Sequence, residues 1–517
     1  MSNGWRILLA ISLVMLSACE KPAERPIRMA LSTVPLNLDP RFATDATSER
    51  INRLLYQRLV EFDPRSMPVP GIATWEPVTP TRYRFHLNPD RATFTHGRVL
   101  DAFDVVETYR QVLEPKTASP KRAALTLISA VDARDEQTLE FTLTRADPLF
   151  PAYLTLDILP AELIRQGHDF SRQPVGSGGF ELTAWPEPGR IQLQRRRDGR
   201  MFELLAVKNP TVRVLKLLRG EVDLLQGDLA PELTDYLRTR DDVVVRQRPG
   251  SNYTYLGVNF TDPATGNPKV RRAIAHAIDR EAIIQGVMRG SARTAESLFP
   301  AKHWAGSELA GYRHDPDRAR ALLASQGYTA DKPLTLTYKT SSDPFRVRLA
   351  TIIQSQLRDV GIDVQVRSYD WGTFFGDIKQ GNFQLYSLTW VGLRTPDIYR
   401  EIFASDAVPP NGANRGRYSS SQVDAWLNEL RQGLDLHDQA GLYRRIAETV
   451  HQDLPYIPLW YEDQVLAHGS RISGYDLSSD GNYDGLGQVR LRSASEHATA
   501  RVAGSASAQP PGSPPIE

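Results

Sequence analysis

Hydrophobic and polar positions alternate most cleanly in two short runs. Residues 82–87 (RYRFHL) place Tyr83, Phe85 and Leu87 on one side, and residues 138–143 (TLEFTL) do the same with Leu139, Phe141 and Leu143. A period of two with aromatic and aliphatic residues on one face predicts half-buried β-strands. Between them, residues 101–115 (DAFDVVETYRQVLEP) change to helical spacing, with Asp101 placed to cap the N-terminus and the Pro115 region to end the helix.

Farther along, residues 334–338 (LTLTY) predict a strand. Asp343 and Pro344 then supply an N-cap and a first-turn proline for a helix that carries Phe345, Leu349, Ile352, Ile353 and Val360 up to Gly361. Residues 362–366 (IDVQV) and 383–390 (FQLYSLTW) predict strands separated by a helix around 371–380. Such a β-α-β-α-β series implies parallel strands joined by right-handed crossovers. Open sheets of this type place ligands beyond the carboxyl ends of their strands, where Trp390 lies. Another helical stripe, Val270, Ile274, Ala277 and Ile278, follows Asn267 and Pro268, and Asp279 can cap a second helix running to Gly290. Its polar face brings together no acids or histidines, so the stripe predicts core.

The two ends break the pattern. Arg6 precedes an apolar run at 7–16 (ILLAISLVML) that is too short to span a membrane. Leu16, Ser17, Ala18 and Cys19 follow it and resemble a bacterial lipobox, in which the cysteine is lipidated after cleavage. The alternative is an ordinary signal peptide with Cys19 an incidental thiol. Residues 20–26 then read as a tether, and the Ala-, Ser-, Pro- and Gly-rich residues 492–517 as a disordered tail.

Composition narrows the function classes. Cys19 is the single cysteine of 517 residues, which excludes a disulfide framework or a multi-cysteine metal site. The chain has 62 basic and 61 acidic residues, and removal of residues 1–19 takes away only Arg6, leaving 61 of each. A neutral chain of mixed charge argues against nucleic acid as the partner. No internal repeat is visible.

Six segments in order carry a resemblance: LNLDP (36–40), YRFHL with FTHGRVLDAFDVVETY (83–87 and 94–109), PVGSGGFEL (174–182), GEVDLL (220–225), NPKVRRAIAHAIDREAII (267–284) and DLPYIPLWYED (453–463). From about residue 27 to 491 the chain resembles the family 5 extracytoplasmic solute-binding proteins, the oligopeptide, dipeptide and nickel receptors of ABC importers. The resemblance implies an α/β, two-lobed clamp with hinge strands between the lobes. The first lobe is expected at 27–258 with an extra subdomain at 57–173, the second at 259–474, and a return to the first at 475–491. It further implies a monomeric receptor without cofactor or metal, held at the membrane by lipidated Cys19. Its partners would be a peptide or similar small polar solute and an ABC permease.

In peptide receptors of this family aromatic walls flank the ligand. Trp390 and Trp371 match that wall, although either could be core; Asn252 and Tyr253, at the hinge-side end of SNYTYLGVN, are further candidates. Relatives often carry an acid three places after this Trp to meet the ligand's α-ammonium, and here that place is Leu393, with Arg394 beside it. Asp397 is either a ligand contact or a cap after Pro396. Lys121 occupies a cleft-facing place or is a solvated surface lysine. Leu393 and Lys121 together favour a blocked or anionic peptide, or another small polar metabolite, over a free amine.

Two other classes remain. A lipid-anchored hydrolase lacks support, because Gly176, Ser177 and Gly178 miss the G-x-S-x-G spacing, H-E-x-x-H is absent, and His86 and His96 read as an incidental pair. A ligand-binding sensor or envelope chaperone would use the same clamp.

Overall fold

The computed structural model describes residues 25–90, 92–227 and 229–492. The apolar run, the lipobox with Cys19, most of the tether and nearly all of the tail lie outside these residues. Among the described residues, no helix is long and apolar enough to cross a membrane.

One eleven-stranded sheet runs through the molecule. At one end are the strands predicted from the β-α-β-α-β pattern. Leu334–Ser341 lies between Ile362–Tyr369 and Leu385–Trp390 and is parallel to both. The helices Pro344–Arg358 and Trp371–Gln380 make the crossovers. At the other end, Ile27–Leu31 pairs in parallel with Leu224–Gln226 and Arg200–Ala206, and the antiparallel strands Arg190–Arg195 and Phe180–Glu187 complete the edge.

Two long strands join these halves: Val243–Val258 and Tyr456–Gly469 run antiparallel in the middle of the sheet. Their register holds from Val243 to Arg248, breaks, and resumes from Asn252 to Gly257 with a further shift between Thr254 and Tyr255. Pro249 supplies no ladder N–H, and Gly250 approaches Glu462 so closely that a Cβ there would lie 2.2 Å from its carbonyl oxygen. The break therefore falls where both strands pass from one half to the other.

The alternating runs at 82–87 and 138–143 pair with each other inside a separate four-stranded antiparallel sheet. Ala102–Leu113 packs its apolar face, Val105, Val106, Tyr109 and Val112, into that sheet's core. Asp101 caps it as expected, and Asp104 returns the bond to complete a capping box. This core adjoins the far half of the molecule: Leu149 and Ala152 are buried in one cluster with Tyr399 and Tyr443.

The helix expected from Asp279 to Gly290 is shorter, Arg280–Gly286. The Met288 and Gly290 N–H groups bond back to Ile283 and Ile284, Arg289 and Gly290 take positive φ, and the chain turns out to pair Ala292–Thr294 with Tyr456–Gly469. The polar–apolar period cannot register this demand from a distant strand.

Candidate functional site

The helix Ala46–Leu55 builds one wall of the site. Asp45 caps it by accepting from the Ser48 N–H. Its apolar side, with Ile51, Leu54 and Leu55, is buried, so positions 46, 49, 50 and 53 share the opposite face. Those four residues line a cavity of about 510 Å³. Arg58, Lys121, Tyr153, Thr155, Leu156, Asp157, Val391, Gly392, Arg394, Asp480 and Asn482 are among the residues that line the rest. The cavity thus lies between the first half of the sheet and the loop that leaves Trp390.

Charge dominates its walls. Lys121 Nζ is bonded to Glu49, Arg58 Nε to Asp157 at 2.7 Å, and Arg394 to Asp480 at 2.7 Å. Arg53 turns to Glu61 at 2.8 Å and Asp484 at 2.9 Å, which line a second cavity of about 470 Å³ behind it. Burial pushes the Arg394 guanidinium down; Asp480 opposes this, while the nearby Arg53 and Arg58 add to it. Burial works against ionisation of Asp480, yet Arg394, the Ser478 hydroxyl and the Asn482 N–H hold it below the usual carboxylate range.

Two residues selected from the sequence, Lys121 and Arg394, therefore meet in one cavity wall, with Lys121 paired rather than free. Trp390 ends its strand directly before the cavity-lining Val391 and Gly392. Trp371 begins the helix Trp371–Gln380, is 59% exposed and stacks on Phe375 at 5.3 Å. Arg415 links the two tryptophans: its guanidinium lies 5.0 Å from the Trp390 ring centre and 5.2 Å from that of Phe375.

The remaining candidates lie elsewhere. Tyr253 is opposite Trp390 in register but only 3% exposed, in a tyrosine cluster with Tyr255 and Tyr461. Asn252 is opposite Glu462, and its Oδ1 is buried without a hydrogen-bond partner. Leu393 packs against the apolar core instead of lining the cavity.

Asp397 occupies the N-cap position of Ile398–Phe403 but makes no capping bond, because its own φ of −55° and ψ of −25° are already helical. It faces a narrow constriction with Arg145, Arg400 and Arg431, and burial raises its pKa against these three cations.

Sequence reading missed Arg50, Arg53, Arg58, Asp157, Asp480 and Arg415. The i, i+3, i+4, i+7 spacing of Ala46, Glu49, Arg50 and Arg53 was the available signal for the first two. His86 lies 3.7 Å from Glu76, and His96 bonds Glu162 at 2.6 Å, so each has its own local partner. Among the described residues no group of three or more metal-ligating side chains is assembled.

Comparison with known proteins adds to this geometry. The model of the bacterial extracellular solute-binding proteins, family 5 Middle, matches residues 67–407. Heme-binding protein A of Haemophilus influenzae is 28% identical over 87% of this chain and 89% of its own. Di/tripeptide-binding protein 2 of Pseudomonas aeruginosa is 26% identical over 92% of this chain and 97% of its own. Among solved structures, the ABC transporter-associated periplasmic binding protein DppA of Helicobacter pylori, in complex with the peptide STSA, superimposes with a TM-score of 0.74 at 25% identity. That match covers 90% of this chain and 98% of the other.

Proposed function

The chain belongs to the family 5 bacterial extracellular solute-binding proteins, and from that membership we propose that it captures a peptide in the cavity between its lobes and delivers it to an ABC import permease. The observation that carries this reading is the cavity of about 510 Å³ between the helix Ala46–Leu55 and the loop after Trp390. Pockets for small molecules typically measure roughly 300–1,000 Å³, so the space suits a short peptide. The peptide-binding names of the Pseudomonas and Helicobacter relatives support the same ligand class.

In this reading the first lobe comprises 27–258, with a subdomain at 57–173, and 475–491; the second comprises 259–474. The lobes close about the irregular stretch at 249–251, and Trp390 and Trp371 with Arg415 form a wall at the second lobe's edge. Lipidated Cys19 keeps a monomeric receptor at the outer face of a bacterial membrane near its permease. The reading is of a receptor rather than an enzyme, because most charged groups of the cavity are spent on one another as ion pairs instead of forming a nucleophile and base.

Thermal unfolding of the chain from residue 20 onward tests it against di- to pentapeptides, N-blocked peptides, amino acids, sugars, heme and nickel chelates. At a hundredfold excess over its dissociation constant a ligand adds about 2.7 kcal/mol, which for a chain of this size is about 2–3 °C. A shift with peptides alone is the expected result. A shift confined to heme or a nickel chelate contradicts the peptide assignment, and no shift with any class contradicts the receptor.

A further inference from the structure

We propose that the end of the molecule from which the tether leaves is a basic surface that lies against anionic phospholipid headgroups. The inference goes beyond the receptor reading and takes from it only the lipid anchor at Cys19.

Strand register brings separate stretches to that end. Ile27 opens its strand opposite Phe202, and Arg195 and Arg200 close the turn at 196–199 two residues before Phe202. Phe180 pairs with Arg195, Leu224 with His468, and Val243 with Gly469. The Lys216 carbonyl receives the Glu221 N–H, and the Arg471 carbonyl receives the Arg492 N–H, which adds the helix end at 216–219 and the strand Arg490–Leu491. The ligand cavity lies at the opposite end: Gln226, the last residue of Leu224–Gln226, donates to the carbonyls of Gly481 and Asn482, and Asn482 lines the cavity.

Residues 25–27, 180–181, 195–200, 216–223, 240–243, 468–473 and 490–492 together carry eleven lysines and arginines against six carboxylates, in a chain whose totals are 62 and 61. The tether's Glu20, Lys21 and Glu24 take back only one charge. Ion pairing does not consume the surplus, since Arg25 and Arg471 share Asp223 while Asp198 takes Arg195 and Glu221 takes Lys216. Among the described residues no carboxylate pairs with Arg197, Arg490 or Arg492; the first two are exposed, and Arg490 reaches only the Ser473 hydroxyl at 3.4 Å. The field reaches inward as well: burial lowers the His468 pKa, and Arg246 and Arg492 lower it further against its bond to the Gly469 carbonyl.

Cys19 stands six residues before Arg25. An extended chain covers at most about 3.6 Å per residue, so the anchor keeps this end within about 22 Å of the headgroups. Such a tether limits distance without fixing orientation, whereas exposed arginines within a few Debye lengths of an anionic surface turn this end toward it. The competing role is a solvated face that keeps the chain soluble.

The test is co-sedimentation of the chain from residue 20 onward, which carries no lipid, with vesicles of phosphatidylethanolamine alone or mixed equally with phosphatidylglycerol. Wild type is compared with the triple variant Arg197→Glu, Arg490→Glu, Arg492→Glu and with a control, Lys332→Glu, Arg358→Glu, Arg367→Glu, which reverses three exposed cations of the second lobe. Wild type is expected to bind the mixed vesicles, to ignore the neutral ones and to be released by salt. The arginine triple is expected to lose at least about a hundredfold in affinity, at about fivefold for each cation removed from an anionic surface, and the control to keep its binding. Binding to neither vesicle, equal binding to both, or equal losses in the two triple variants overturns the assignment. None of these results touches the peptide reading, which the unfolding shift tests separately. Should the arginine triple fail to fold, Arg197→Glu alone, on its exposed turn, decides: a loss of about fivefold supports the surface and an unchanged affinity overturns it.

Discussion

His303 fixes the backbone on which Arg394 stands. Its Nε2 donates to the Arg394 carbonyl oxygen at 2.8 Å and its Nδ1 accepts the Ala305 N–H at 3.1 Å, an arrangement only the neutral ring can make. Burial pushes its pKa down to about 4, against bonding to the Arg394 carbonyl and the pull of Asp63. Between pH 6.5 and 4 the unfolded chain binds a proton at this position that the native chain does not, so stability is full above 6.5 and falls as pH drops through that window. The loss is about 3 kcal/mol. Denaturation of wild type and His303→Gln across that range isolates it: wild type is expected to lose about that much more than the variant, and parallel curves would contradict the assignment.

Asp480 gives a second test. In Asp480→Asn the Arg394 guanidinium keeps its burial and loses its carboxylate, which is expected to lower stability by about 1–2 kcal/mol, read as a fall in the unfolding midpoint. Lys121 and Arg394, picked singly through the resemblance, both line the cavity, whereas Trp371 and Trp390 are not among its lining residues. Arg415 was not legible, since nothing in the spacing of 25 residues from Trp390 shows that its guanidinium will lie over that ring.

The break in the two long central strands has a definite sequence cause in Pro249 and Gly250. Gly250→Ala would drive a Cβ into the Glu462 carbonyl, a backbone atom already fixed by the neighbouring ladder. The expected cost is about 3 kcal/mol, with a lower unfolding midpoint. An unchanged midpoint would show that the bulge can relax.

Elements were legible where their determinants are local. Asp101, Asp279 and Asp343 cap the helices they were expected to cap, because a cap is written within three or four residues. The three parallel strands at the sheet's edge were legible for the same reason. The early end of the helix after Asp279 was not, because pairing of Ala292–Thr294 with a strand more than 160 residues away sets it. Asp397 failed as a cap for a reason equally invisible to pattern, its own helical backbone angles.

The cavity belongs to the whole molecule. Its lining comes from separate stretches near 40–58, 121–125, 153–157, 391–394 and 480–482, drawn together by the long central strands and by the apolar contact of Leu149 and Ala152 with Tyr399 and Tyr443. Charges spread over such distances offer no period to read, so their ion pairs become visible only when the cavity is assembled. The account accordingly locates ligand binding in this cavity and nowhere else. Ala46 offers a direct probe, because it is exposed, opens the helix Ala46–Leu55 and lines the cavity without contributing to the core.

The decisive measurement is calorimetric titration of the peptide that most raises the unfolding temperature into wild type and Ala46→Trp, with unfolding midpoints recorded alongside. The account predicts one peptide per chain for wild type and no detectable binding for Ala46→Trp at an unchanged midpoint. Undiminished binding by a folded Ala46→Trp would contradict it and place the ligand elsewhere.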